Sequence, residues 1–183
     1  IGTWTDAAGD NSTVVGYFST ADTDSIAIGN QATAGTVEYD DDGVLVELGT
    51  THAIAVGSSA TAKGLNSIVM GNDAEATAEN SIAFGTEANA SEKYAKAFGY
   101  QAKASGLYAN AIGDFAEASG EKSNAIGLNA KADKLNANAI GNGAKAIGEY
   151  TNAFGLDAEA SGKYANAFGY SATASGESSN AIG

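Results

Sequence analysis

The sequence contains no cysteine, no proline and no arginine, and only one histidine, one tryptophan and one methionine. Without cysteine there are no disulfides and no thiolate metal ligands, although an extracellular protein needs neither. No nucleophile motif surrounds the single histidine, His52, which reads as a surface or structural residue rather than a base. The 24 glycines include no G-x-x-x-x-G-K-[ST] phosphate loop. Acidic residues are scattered, so no carboxylate pair is implied. No catalytic residue, no cofactor and no metal site is therefore assigned. No stretch approaches the ~20 apolar residues of a membrane span. The opening residues Ile1 to Asp6 lack the basic and apolar regions of a secretory signal. The pattern runs to both ends of the sequence, so signals and anchors are expected to lie outside it, and no direct membrane contact is expected of this segment.

Cations are scarce as well. All nine are lysines, and the formal net charge is −13. Nucleic-acid partners need clustered Lys and Arg to neutralise phosphate, and anionic lipid needs the same; neither is expected. The ordinary meaning of such a balance is an acidic, soluble surface. Alanine dominates the 44% hydrophobic fraction. A buried methylene contributes only about 0.8 kcal/mol, so a fold built on alanine must be thin, with closely spaced backbones.

What the chain does have is a clock. A glycine closing an Ala-Ile-Gly or Ala-Phe-Gly tripeptide, or its variants Ala-Val-Gly at Gly57 and Val-Met-Gly at Gly71, falls at Gly57, Gly71, Gly85, Gly99, Gly113, Gly127, Gly141, Gly155, Gly169 and Gly183, always 14 residues apart. Gly29 precedes Gly57 by 28, and Gly16 precedes Gly29 by 13. Fixed-period self-similarity is the signature of a repeat architecture. With the closing glycine as position 14, positions 3 and 5 are alanine in all nine strict units, from Ala60 and Ala62 to Ala172 and Ala174. Position 10 is Ser, Ala or Thr, position 12 is Ala except for Val69, and position 13 is Ile or Phe except for Met70.

Positions 2 to 6 and 10 to 14 alternate with the period of half-buried strands. Position 7 glycines such as Gly106 suit a tight turn between them. The unit predicts two strands of about five residues, and units stacked at about 4.8 Å give two parallel sheets back to back. The expected fold is all-β, a flattened parallel β-roll.

Alternation leaves two phases. In one, Ala 3, 5, 10 and 12 fill the roll, and the bulky residues of position 13 line its outside. In the other, position 13 fills the roll and position 11 is buried with it, including Lys96, at a heavy desolvation cost. That cost favours the first phase. Its consequence is an apolar stripe of Met70, Phe84, Phe98, Ile112, Ile126, Ile140, Phe154, Phe168 and Ile182, preceded by Ile28 and Val56. Monomers rarely expose a continuous patch of this kind, and a stripe that repeats along the rod is naturally covered by copies of itself.

Units such as Ser123 to Gly127 (SNAIG), Asn80 to Gly85 (NSIAFG) and Asn66 to Gly71 (NSIVMG), spaced by xxAxA, resemble the head repeats of YadA-type trimeric autotransporter adhesins over nearly the whole chain. The resemblance implies a left-handed parallel β-roll and a homotrimer packed on the stripe residues. It implies display on the surface of a Gram-negative cell, anchored in the outer membrane through regions not in this chain. It also implies a role in cell adhesion and virulence, with an extracellular matrix protein, host cell or other surface as ligand. The whole of 1–183 reads as one head domain, with 1–16 an irregular cap or first coil and 35–51 a β-hairpin insert.

Three features depart from the family pattern. Position 11 is isoleucine at Ile26, Ile54, Ile68 and Ile82 but asparagine from Asn110 onward, so the C-terminal half should be more polar near the axis. Those amides either hold water or an ion in rings or hydrogen-bond along the stack, the second being the ordinary fate of buried polar groups. The insert reads as two strands about an Asp-Gly turn, and its Asp40, Asp41 and Asp42 do not fit a calcium loop. The string Ile1 to Thr13 fits the repeat poorly. Outer tyrosines Tyr94, Tyr108, Tyr150 and Tyr164 at position 9 are ligand-contact candidates, or shields for strand ends. A passive spacer and an ice- or surface-binding solenoid are the other readings. Against the latter, the residues at outward position 4 are too mixed in charge to form a regular lattice.

Overall fold

The computed structural model describes residues 1–39, 45–48 and 51–183. These residues are all-β, without helix, and form a parallel β-solenoid. They fall into two compact units, Ile1–Ser91 and Glu92–Gly183.

In the first unit, one sheet stacks Asp6–Ala7, Thr20–Ala21, Thr33–Ala34, Thr61–Ala62, Glu75–Ala76 and Asn89–Ala90 in that order. The other stacks Thr13–Val15, Ile26–Ile28, Ile54–Val56, Ile68–Met70 and Ile82–Phe84. In the second unit the corresponding strands run from Lys103–Ala104 to Thr173–Ala174 and from Lys96–Phe98 to Asn180–Ile182. Pairing is parallel with like residues in register, as in Ile112↔Ile126 and Ala118↔Ala132.

The strands of the roll are two and three residues long, not five. The turns take the difference. Backbone bonds close many of them, as in Ala102 N donating to Gly99 O at 3.4 Å and Ala109 N to Gly106 O at 3.0 Å. The third residue of each turn has positive φ, as in a type II turn: Gln101 at 53° and Tyr108 at 58°. The position 7 glycines, unlike those that close each coil, have no positive φ. A Cβ on Gly106 would sit 2.1 Å from Gly120 O in the next coil, so Gly106 is glycine for close approach, whereas Ala78, Glu92 and Lys134 carry side chains at the same position of other coils.

The interior is the alanine layer. In the second unit Ala102, Ala104, Ala109 and Ala111 are fully buried, and so are their counterparts up to Ala160 and Ala167. Three of the hydroxyls at position 10, those of Ser81, Thr151 and Ser179, return to the chain, as Thr151 Oγ1 does to Gly148 O at 2.7 Å. The buried Ser67 and Ser123 hydroxyls find no partner among the described residues.

The first residues, Ile1 to Gly16, form a coil. Asp6–Ala7 pairs with Thr20–Ala21 and Thr13–Val15 with Ile26–Ile28, in the same register as later coils. The insert has the antiparallel strands Val37–Tyr39 and Leu45–Leu48 with a bulge at Glu38/Tyr39. Its Asp-Gly turn and Asp40 to Asp42 lie outside the described residues.

Candidate functional site

With alanine 12 turned inward, its strand neighbours 11 and 13 turn outward. The stripe therefore lies outside the roll, as in the first of the two phases. In the first unit Met70 is 49% exposed, and Phe84 is half-buried beside Ile82 on the same face. In the second, Ile112, Ile140 and Phe168 are exposed, Phe98, Ile126 and Phe154 are half-buried, and Ile182 is 87% exposed. Phe154 and Phe168 touch edge to face at 5.3 Å between centroids.

Beside this stripe runs a ladder of amides. Asn110 Nδ2 donates to Asn124 Oδ1 at 2.8 Å, Asn124 to Asn138 at 2.7 Å, Asn138 to Asn152 at 3.0 Å, Asn152 to Asn166 at 2.7 Å and Asn166 to Asn180 at 2.9 Å. The amides are bonded along the stack, each of the four inner ones spending one donor and one acceptor on its neighbours.

The four candidate tyrosines pair off. Tyr94 and Tyr108 stack with centroids 4.8 Å apart and planes 8° off parallel. Tyr150 and Tyr164 stack at 5.3 Å and 22°, with Lys163 Nζ 5.3 Å from the Tyr164 centroid. Lys163 is itself paired to Glu149 at 3.0 Å, and that hydrogen bond, followed by the charge of Glu149, raises its pKa. All four tyrosines are exposed with φ between 57° and 61°. That region is costly for a bulky residue. Asn66, Asn80 and Asn136 hold the same place with less strain.

The opposite turn carries further exposed aromatics, Tyr100 at position 1 among them. Trp4 stacks on Phe18 at 5.9 Å, Tyr17 meets Phe18 edge-on at 4.5 Å, and Tyr100 meets Phe115 edge-on at 5.2 Å. Trp4, Phe18 and Phe115 have φ of 57°, 52° and 58°. Their shared position 2 is the only signal in the sequence, and it is visible once Ile1 to Gly16 is aligned as a coil.

A second feature has no counterpart in the sequence pattern. Asp22 is fully buried in the coil that is one residue short. Its side chain accepts from Ser25 Oγ at 2.5 Å, from Thr51 Oγ1 at 2.9 Å and from Thr36 N at 3.1 Å. Thr36 precedes the insert's first strand and Thr51 follows its second, so one side chain clasps both legs of the hairpin. A Cβ on Gly35 would fall 2.0 Å from the Asp22 carboxyl carbon, which explains glycine there. His52 sits beside Asp24 at 3.7 Å on the surface.

Each unit turns apolar residues and aromatic rings outward; the second adds the amide ladder, and the first the hairpin held by Asp22. Comparison with curated proteins gives no match. Among solved structures, the crystal structure of the collagen-binding domain of the Yersinia adhesin YadA aligns at 22% identity with a TM-score of 0.40, covering 90% of this chain and 69% of that one. The family model for the YadA head domain repeat (2 copies) matches residues 1–19, 7–24, 23–36, 51–74, 62–88, 76–102, 90–116, 104–130, 118–144 and 160–183. Matched by that repeat over most of its length, the chain belongs to the YadA head repeat family of adhesin heads.

Proposed function

We propose that the chain works as a homotrimeric adhesin head, displayed on a Gram-negative cell surface, in which the stripe from Met70 to Ile182 packs against two further copies. The observation that carries this reading is the outward stripe. Fully burying an Ile or Phe contributes roughly 1.5–3 kcal/mol, whereas the alanines inside offer little more than a methyl each. Half-buried residues such as Phe98 and Ile126 gain the smaller share of that range. Summed over nine coils, the assembly holds most of the hydrophobic stabilisation.

Ligand contact falls to the stacked tyrosines Tyr94, Tyr108, Tyr150 and Tyr164. Rings give large contact area with few rotors, and three copies on one rod turn weak contacts into firm attachment through effective concentration. An extracellular matrix protein is the ligand class this reading favours. The test is attachment of the purified head to a panel of collagen, fibronectin and laminin, comparing the parent with Tyr108→Asn/Tyr164→Asn. Asparagine already occupies this turn position elsewhere, so folding is preserved. Attachment should fall with the melting temperature unchanged. Equal attachment by both proteins removes the tyrosines, and no attachment to any surface makes the head a spacer.

A further inference from the structure

On the face that carries the stripe, the residues at position 11 change character once. They are isoleucine from Ile26 to Ile82 and asparagine from Asn110 to Asn180, and Lys96 stands between the two runs in sequence. Its strand pairs with Asn110–Ile112, with Lys96 opposite Asn110 and Phe98 opposite Ile112. Lys96 is half-exposed, and its ammonium group has no ion pair or hydrogen bond among the described residues. Lys122, Lys131 and Lys163, by contrast, each meet a carboxylate.

The amide ladder adds a direction. Every bond runs from the Nδ2 of one coil to the Oδ1 of the next, from Asn110 to Asn180. Asn110 Oδ1 is thus the acceptor end of the row, and aligned amide dipoles place partial negative charge there. That end lies in register with Lys96, which accounts for a cation at the point where the ladder begins.

We propose that three Lys96 ammonium groups gather on the axis of the trimer and hold one small monovalent inorganic anion between them. The proposal rests on the trimeric reading above. Covering the stripe strips Lys96 of water, and an unpaired charge in an apolar setting is costly. Threefold packing sets like residues level with one another, so each lysine meets two more lysines. No Asp or Glu occurs at positions 11 or 13 of any coil, so the same face of a neighbouring copy brings no counter-charge. The two Asn110 amide hydrogens are already directed at Asn124 Oδ1 and, at 3.5 Å, at Tyr108 O. The flanking Phe98 and Ile112 make the setting apolar and close, which suits an ion of halide size rather than a phosphate.

The test follows the thermal dissociation of the head trimer at constant ionic strength, in sodium bromide against sodium gluconate, for the parent and Lys96→Asn. Asparagine fills this position in the six following coils, so the variant folds. The parent midpoint should rise with bromide concentration. The Lys96→Asn midpoint should not respond and should exceed the parent's in gluconate. Anomalous diffraction at the bromine edge should show one peak per trimer at the Lys96 level. A trimer whose midpoint responds equally in both proteins, or an axis without that peak, overturns the anion site. A single chain in sedimentation overturns the trimer itself, whatever the salt.

Discussion

Two glycines with positive φ make opposite predictions. Gly127 closes its coil at φ 134°, and a Cβ there would stand 2.4 Å from Gly141 O and 2.6 Å from Gly141 C. Gly143 has φ 66°, and its Cβ would meet only the tip of the Asp157 side chain at 2.2 Å. The same turn position is held by Asn129 at 55° and Asp157 at 54°, so a side chain fits there without backbone movement. Gly127→Ala should incur about 1–3 kcal/mol of backbone strain. It must also push apart neighbouring coils that are bonded through Gly141 N to Ile126 O at 2.8 Å, at roughly 1 kcal/mol for each bond stretched beyond use. The expected loss is about 3–5 kcal/mol, a range reserved for a few named mechanisms. At roughly 2–4 °C per kcal/mol for a chain of this size, the melting temperature falls by about 6–20 °C. Gly143→Asn should stay within about 0.5 kcal/mol of the parent. Circular dichroism melts of both variants, with hydrogen exchange to locate the opened coils, measure this. A Gly127→Ala protein as stable as Gly143→Asn would refute the claim that coil spacing, and not the turn alone, requires glycine.

Four further outcomes follow from the interior and the surface. Ser123→Ala removes an orphaned buried hydroxyl at a position alanine fills in other coils and should stabilise by about 1 kcal/mol, whereas Thr151→Ala, which loses its bond to Gly148 O, should destabilise by a similar amount in urea titrations. Asp22→Ala leaves Thr36 N and Thr51 Oγ1 without their acceptor. It should cost about 3 kcal/mol and admit protease at the insert, and a hairpin cut at the parent's rate would show the clasp to be idle. Asn138→Asp sets oxygen against Asn152 Oδ1 and breaks the ladder, so exchange should quicken in that coil by an amount matching about 1–3 kcal/mol. The Lys131 pKa is raised, first by its hydrogen bond to Glu117 and then by the charge of Asp133. The stability it contributes is therefore complete below the ordinary lysine pKa and lost as pH rises through the higher folded value. With the side chain 42% exposed, Lys131→Met should change stability by less than about 1 kcal/mol near neutral pH.

Much of this architecture is legible in the sequence because alanine is informative where it repeats. Four small residues per unit define one face of each strand, and the cost of burying Lys96 picks the phase. Strand length was not legible. The residues with positive φ at the turns include Tyr, Lys, Gln and Phe as well as Asn, so composition does not mark the turns where they fall. The Asp22 clasp joins residues 14 and 29 apart in sequence, through a shortened coil and an insert that only the stack brings together. The first coil was obscured in the same way. Thr5 stands where later units have alanine, yet Trp4 and Gly16 keep the backbone geometry of the repeat.

Sedimentation equilibrium of the folded head bears most directly on the outward stripe as a self-covering surface. The result expected is a mass of three chains, reduced to one by Phe98→Asp with Ile126→Asp while the coils remain folded by circular dichroism. A stable, folded single chain at all concentrations, with Phe98 and Ile126 still bathed in solvent, would contradict it.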